Sequence, residues 1–359
     1  MSGRFQLNDD STVPSIRFVT RKWAPAMGGM ETYCHRLTEE LSKTHIVETL
    51  ALPGQVGGAA PTAMSLLGFG FQTAFKLLFA KSVEVAHFGD IAVWPLALIV
   101  RLRHPQTSLA ISAHGTDVSY PMRGGFLGGL YGVYLKLGAR LLPGIKVIAN
   151  SQATADATRS YGYRRLDIVS LATDQQMVSE KKIAGQHLLF AGRLVERKGL
   201  AWFVKHVMPL LPSDMRLRVA GTVWDRQEEK VLSDPRIDFL GRLSPEELRD
   251  EYAGALCVIV PNINVGNSEF EGFGLVAPEG AAAGGVVVAA YHSGLKEAVI
   301  DGVTGFHVPP GDAIEWQKCI NVIAGWSAKE RSYFIAQSVA KTGEHYSWKR
   351  VAKETLAAY

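Results

Sequence analysis

The residues best suited to chemistry lie between 269 and 285, Glu-Phe-Glu-Gly-Phe-Gly-Leu-Val-Ala-Pro-Glu-Gly-Ala-Ala-Ala-Gly-Gly. Two carboxylates, Glu271 and Glu279, stand on either side of a glycine-rich turn that runs into an alanine-rich helix. A helix start built from Gly272, Gly274 and Leu275 presents unpaired backbone N–H groups and the positive end of the helix dipole, which suits an anion. Acids beside such a site are useful for gripping hydroxyls. A phosphate with hydroxyls on both sides describes a nucleotide-sugar.

Three further turns carry reactive or phosphate-seeking residues. Gly28-Gly29-Met30-Glu31 follows the first apolar run; paired glycines before a helix let backbone approach a phosphate, and equally make an ordinary turn. In His114-Gly115-Thr116-Asp117 an imidazole and a carboxylate share one turn. They either contact a sugar or, for Asp117, cap the turn. Gly192-Arg193-Leu-Val-Glu-Arg-Lys198-Gly199 offers a guanidinium fork and an ammonium for a pyrophosphate, or a solvated charged turn. Glu196 and Arg197 are assigned to the solvated part.

These turns need a scaffold. Short β-rich runs alternate with helical patterns throughout, which argues a parallel α/β sheet. Expected strands are Ile16–Thr20, Ile46–Leu52, Val83–His87, Leu109–Ser112, Lys146–Ala149 and Leu166–Leu171. A second set comprises Leu188–Ala191, Arg216–Ala220, Ile237–Leu240, Cys257–Val260, Val286–Ala289 and Phe306–Val308. Helices are expected over Glu31–Leu41, Leu200–Leu210, Pro245–Ala253 and Ala313–Ala324. The polar, weakly patterned segment 172–186 reads as a linker between two doubly wound halves. Each half should bind beyond the carboxyl ends of its strands.

The chain has 359 residues and a formal charge of +4. No Lys/Arg block of nucleic-acid type is present, so nucleic acid is not an expected partner. Its 3 cysteines, Cys34, Cys257 and Cys319, fit no metal spacing and read as buried thiols of a reducing compartment, so a cytoplasmic setting is expected. Residues 1–14 form a polar tail without signal-peptide character. Residues 91–100 are too short to cross a bilayer, which takes about 20 apolar residues, and read as a core helix. Residues 62–80 read as a core helix or, with Phe71, Phe75, Leu78 and Phe79 beside Lys76 and Lys81, as a peripheral contact with a membrane surface.

Together the four turns resemble the retaining glycosyltransferases of family 4, which have the two-domain GT-B architecture. The resemblance runs from Gly28-Gly29-x-Glu31 to Tyr346-Ser347-Trp348. It is densest in the second half, in Gly192-Arg193-Leu…Lys198-Gly199, Phe239-Leu240-Gly241, Ser244-Pro245-Glu246-Glu247-Leu248 and the Glu271/Glu279 pair. Gly294, Glu297, Asp301-Gly302 and Thr304-Gly305-Phe306 follow in the family's order.

The fold so implied is two Rossmann-like, doubly wound parallel-sheet domains facing a central cleft. Residues 1–171 would form the acceptor side, 187–344 the nucleotide-sugar side, and 345–359 a helix crossing back to the first domain. The resemblance implies that Arg193 and Lys198 hold the donor diphosphate and that Glu279 accepts from the ribose hydroxyls. Glu271 would touch the donor sugar, and the turn Gly272, Phe273, Gly274 and Leu275 would offer N–H groups to sugar or β-phosphate. The base would lie near Arg242 and Leu243, His114 beside the sugar, and Gly28 and Gly29 over the phosphate.

His114, Arg193, Lys198 and Glu271 are thereby the expected catalytic set. No metal or other cofactor is expected, and no Asp-x-Asp motif appears. The donor would be a UDP- or GDP-type sugar. The acceptor would be a carbohydrate, a lipid-linked sugar or a small molecule, in cell-surface polysaccharide, glycolipid or secondary-metabolite glycoside synthesis. First-domain loops around Trp23–Met27, 54–72 and 118–128 would read it. The family's favoured account is front-face attack, with a leaving phosphate oxygen taking the acceptor proton.

The chain departs from the family pattern in several places. Gly280 stands for the usual alanine and Val286 for proline. Ala290, Tyr291 and Ser293 stand for Ser, Asp and Gly, and Gly221-Thr222-Val223-Trp224 lacks a second glycine. Two other readings share the architecture: a nucleotide-sugar epimerase, which needs further acid/base carboxylates, and a non-catalytic nucleotide-sugar-binding subunit.

Overall fold

A computed structural model describes residues 15–26, 28–55, 61–177, 185–266 and 270–359. The expected tail 1–14, Met27, residues 56–60, the middle of the expected linker (178–184) and residues 267–269 lie outside the described residues.

The described chain builds two six-stranded parallel sheets. The first comprises β1 (Ser15–Thr20), β2 (Ile46–Ala51), β3 (Val85–Phe88), β4 (Ser108–Ala113), β5 (Lys146–Ala149) and β6 (Arg165–Ile168). The second comprises β7 (His187–Ala191), β8 (Arg216–Ala220), β9 (Ile237–Gly241), β10 (Cys257–Val260), β11 (Val287–Ala290) and β12 (Phe306–Val308). Every expected strand is present, with ends shifted by a few residues; β6 stops short, although Val169 N–H still donates to Ala149 O.

Strand order follows from burial. β3, β10 and β11 are buried at every position, as runs such as Cys-Val-Ile-Val and Val-Val-Ala-Ala require when helices cover both faces. β2 and β6, with exposed charged residues, take the edges. The orders are β2-β1-β3-β4-β5-β6 and β12-β11-β10-β7-β8-β9. Each reverses direction once, between β1 and β3 in the first sheet and between β7 and β10 in the second. At such a reversal neighbouring strands send their following loops to opposite faces and leave a crevice at their carboxyl ends.

The chain groups into two compact units, Met1–Ile111 with Tyr359, and Ser112–Ala358. This boundary falls within β4, whereas the sheets change over between β6 and β7. Within the first unit, Tyr359 Oη lies 2.7 Å from His87 Nδ1 and its carbonyl accepts from Ser108 Oγ at 2.8 Å. Within the second, the helix Trp348–Ala358 is anchored by Arg350, which donates to the Ser170 carbonyl at 2.6 Å.

The two apolar stretches diverge. Trp94–Arg103 is a core helix that buries Trp94, Leu96, Ala97 and Val100. Ala63–Phe79 buries only Phe69, Thr73 and Leu77 and leaves Phe71, Phe75 and Phe79 exposed, which corrects the core reading. An apolar sequence does not say which side of a helix finds a neighbour. Among the described residues no helix is long and apolar enough to cross a membrane.

Candidate active site

The reversal of the second sheet gathers the charged residues. β7 delivers Gly192 and Arg193, then the short 3-10 turn Glu196–Lys198 and Gly199. β10 delivers Pro261 and Asn262, and beyond them Glu271. Gly199 has φ +72, and a Cβ there would fall 2.1 Å from the Pro261 carbonyl oxygen, so only glycine lets the two loops touch. Ile263 N–H seals the contact by donating to Arg197 O at 3.2 Å.

One carboxylate oxygen holds the cluster. Glu271 Oε2 lies 2.7 Å from Lys198 Nζ and 2.6 Å from Arg197 Nη1, and accepts from Asn262 Nδ2 at 3.1 Å. Arg197 and Lys198 are each 8% exposed. Arg197 is therefore not the solvated residue its sequence suggests. The tight turn folds its side chain inward beside that of Lys198, a convergence that neighbouring positions in an extended loop would not have.

Burial alone would raise the Glu271 carboxyl, but Lys198 and Arg197 outweigh it and hold it at about 2. Burial also lowers the Lys198 ammonium, against the pull of Glu271. Arg193, Arg197 and Lys198 outnumber Glu271 and Glu279 and leave an excess positive charge, and the buried Asn262 Oδ1 has no hydrogen-bond partner. A desolvated charge excess with an unused acceptor favours an anionic ligand that also carries donors.

Glu279 sits one helical turn into Val276–Ala282, where Tyr252 Oη donates to its Oε2 at 3.3 Å. Burial raises its carboxyl, opposed by Tyr252 and Lys198. Gly274 and Leu275 precede this helix, where N–H groups have no carbonyl four residues back. Phe273 is buried edge-on to Tyr346, with centroids 6.1 Å apart. A Cβ on Gly272 would fall 2.2 Å from His114 O, so the turn after β4 lies directly against the Glu271 turn. His114 N–H donates to Asp117 Oδ1 at 2.8 Å, so Asp117 does cap its turn.

Of the other expected residues, Arg193 lies on the same loop and its charge acts on Lys198. Arg193 stacks over the Trp224 ring at 5.3 Å, and Leu194 and Val223 bridge their two loops. Arg242 is exposed and Leu243 half-buried after β9. Gly28 and Gly29 belong to the first unit, where extended Gly28 caps the helix Gly29–Leu41. Asn262, Tyr252 and Glu228 escaped sequence reasoning, because each acts through a partner distant in the chain. Glu228, 2% exposed, accepts from Ala201 N–H at 2.9 Å; burial raises its carboxyl to about 7 against that bond. Among the described residues no group of three or more His, Cys, Asp or Glu could hold a metal ion.

Residues 185–324, which contain this whole cluster apart from His114, match the family of glycosyl transferases group 1. The chain carries a glycosyl transferases group 1 domain. Relatives agree with it. An uncharacterized glycosyltransferase of Methanocaldococcus jannaschii is 31% identical over 180 residues, 48% of this chain and 44% of its own. The D-inositol 3-phosphate glycosyltransferase of Pseudarthrobacter chlorophenolicus is 30% identical over 239 residues, 60% of this chain and 55% of its own. The chain thus spans about half the length of the curated relatives it matches.

Solved structures extend the likeness of fold beyond the group 1 domain. Anabaena HepE, crystallised with UDP and glucose, superposes with a TM-score of 0.68 at 17% identity, covering 96% of this chain and 100% of that one. The sucrose-phosphate synthase of Thermosynechococcus elongatus gives 0.72 at 18%, covering 96% and 98%. The fold is GT-B, with two Rossmann-like halves.

Proposed function

We propose that the protein is a retaining, family 4 glycosyltransferase that moves a sugar from a nucleoside diphosphate sugar to an acceptor hydroxyl. The observation that carries this reading is the Arg197–Lys198–Glu271–Asn262 cluster at the β7/β10 reversal, with Glu279 beside it. The excess positive charge suits a diphosphate, and it gains most when the glycosidic bond breaks and the leaving diphosphate takes up charge. Arg193 adds a further cation on the same loop, so the chain's own groups serve that charge without a protein-bound metal. Glu279, held by Tyr252, is poised to accept from ribose hydroxyls, and His114, against the Glu271 turn, lies beside the sugar. The UDP bound by HepE supports a uridine donor over a guanosine one.

Calorimetry with UDP, GDP and their sugars tests the reading. UDP is expected to bind, and Glu279→Ala to weaken it about tenfold or more, the loss of one or two hydrogen bonds from the ribose. Equal affinity of the wild-type and Glu279→Ala proteins for UDP and for inorganic pyrophosphate would remove Glu279 from the ribose. Product NMR showing an inverted anomeric centre would overturn the retaining assignment, and a changed sugar without acceptor would make the protein an epimerase.

A further inference from the structure

The helix Gly125–Leu141 leaves Phe126, Leu130, Val133, Leu137 and Leu141 exposed, Phe126 at 83% and Val133 at 62%. At ~100° per residue these side chains share an arc of roughly 80° on the outer surface. Its opposite face, Gly128, Gly132, Leu135, Gly138 and Ala139, is buried. Scattered exposed apolar residues are ordinary, but a continuous stripe marks an interaction surface.

Beside the stripe lies a cavity of about 260 Å³ lined by Lys136, Arg140, Tyr161 and Arg164. None of the three cations has a carboxylate partner among the described residues. The chain contains no Asp or Glu from 118 to 155, so Lys136 and Arg140 have no acid nearby in sequence. The helix Ala63–Phe79 repeats the arrangement in the other unit: Met64, Leu67, Phe71, Phe75, Leu78 and Phe79 are exposed, Lys76 and Lys81 accompany them, and residues 62–83 contain no acid.

We propose that the helix Gly125–Leu141 docks on an anionic phospholipid bilayer, with the Lys136–Arg140–Arg164 cavity receiving a headgroup phosphate. A free phosphate would use the cations and leave the stripe in water; a lipid surface uses both. A neutral partner surface would leave the cations unanswered. The inference concerns the surface alone and stands apart from the donor assignment, which binding of UDP in solution reads separately.

Co-sedimentation of the full chain with vesicles tests it. Vesicles of phosphatidylglycerol and phosphatidylcholine are expected to carry the protein down at low salt, and phosphatidylcholine alone to do so far less. The variant Lys136→Ala/Arg140→Ala/Arg164→Ala should partition roughly 100-fold more weakly onto the anionic vesicles. Phe126→Ser/Leu130→Ser/Val133→Ser should lose binding at any salt. All these residues are exposed, and unchanged far-UV circular dichroism confirms that each variant folds. Equal binding to neutral vesicles, or wild-type binding by either variant, would overturn the proposal. So would inorganic phosphate binding in the cavity without vesicle binding, or a serine variant that changes only the oligomeric state.

Discussion

The two sheets share a design and differ at one place. At the β1/β3 reversal of the first sheet, Arg21 Nε meets Asp90 Oδ1 at 3.0 Å and Oδ2 at 3.1 Å, and Lys22 meets Glu31 at 3.1 Å. Each cation there has its own acid, and Asp90, fully buried, also accepts from Ala92 N–H to start the next turn. At the β7/β10 reversal of the second sheet, Arg197 and Lys198 share Glu271, and Asn262 keeps an unused acceptor. Topology supplies a crevice in both sheets, but among the described residues the second is the one left with charge and hydrogen-bonding capacity to spare. A closed one-to-one pair stabilises its loop; an unbalanced cluster waits for a ligand.

The comparison breaks first at the acids. Glu271→Gln leaves two buried cations unneutralised and should cost about 3–5 kcal/mol of stability at pH 7. Because the folded Glu271 carboxyl is depressed to about 2, its contribution is full above about 4.5 and lost as pH falls through 2. Denaturant titrations of the variant should therefore show less pH dependence in that window than wild type. Asp90→Asn should cost only about 2 kcal/mol and leave UDP affinity unchanged. If Asp90→Asn weakens UDP binding as much as Glu271→Gln does, the two reversals are not functionally distinct.

Glu228 reads the opposite sign within the same half. Its folded carboxyl is raised to about 7, so its contribution is full below about 4.5 and is lost as pH rises through 7. Glu228→Gln, still able to accept from Ala201 N–H, should be more stable than wild type at pH 8 by about 2–3 kcal/mol and equal at pH 4. An equal gain at both pH values would mean that the carboxyl does not titrate there.

Lys198→Ala removes a charge-assisted bond worth roughly 1.5–3 kcal/mol, so turnover should fall by about one to two decades, while Arg21→Ala should leave it unchanged. Steady-state rates on a UDP-sugar decide this; equal losses would dissolve the contrast between the crevices. The smallest effect is expected at Ser293, whose φ of +48 lies in the left-handed region. Ser293→Gly relieves that conformation and should raise the melting temperature, a gain of about 1 kcal/mol. No gain would mean that Ser293 is held by contacts that offset its backbone.

Much of this was legible from residues alone. Alternating apolar runs marked every strand, because a parallel sheet covered on both faces needs continuous Val, Ile and Leu. The Glu271 and Glu279 turn stood out because glycine and acid together are rare after a buried strand. Arg197 was misjudged, because a charged residue in a charged turn looks solvated until the turn is seen to fold it inward. The apolar stretch 62–80 was half misjudged, because composition does not reveal which arc of a helix is covered. Asn262 and Tyr252 carried no local signal at all.

By itself, the order of residues determined the α/β class, the strands, the glycines that permit close approach and the two acids of the opening turn. These depend on local conformation and on periodicity, which are written within a few neighbouring positions. Only the tertiary structure decided which cations Glu271 holds, that Tyr252 steadies Glu279, and that the helices Ala63–Phe79 and Gly125–Leu141 turn apolar stripes to the outside. Those outcomes depend on groups far apart in the chain meeting at a sheet reversal, or failing to meet at a surface, and proximity of that kind is fixed by packing.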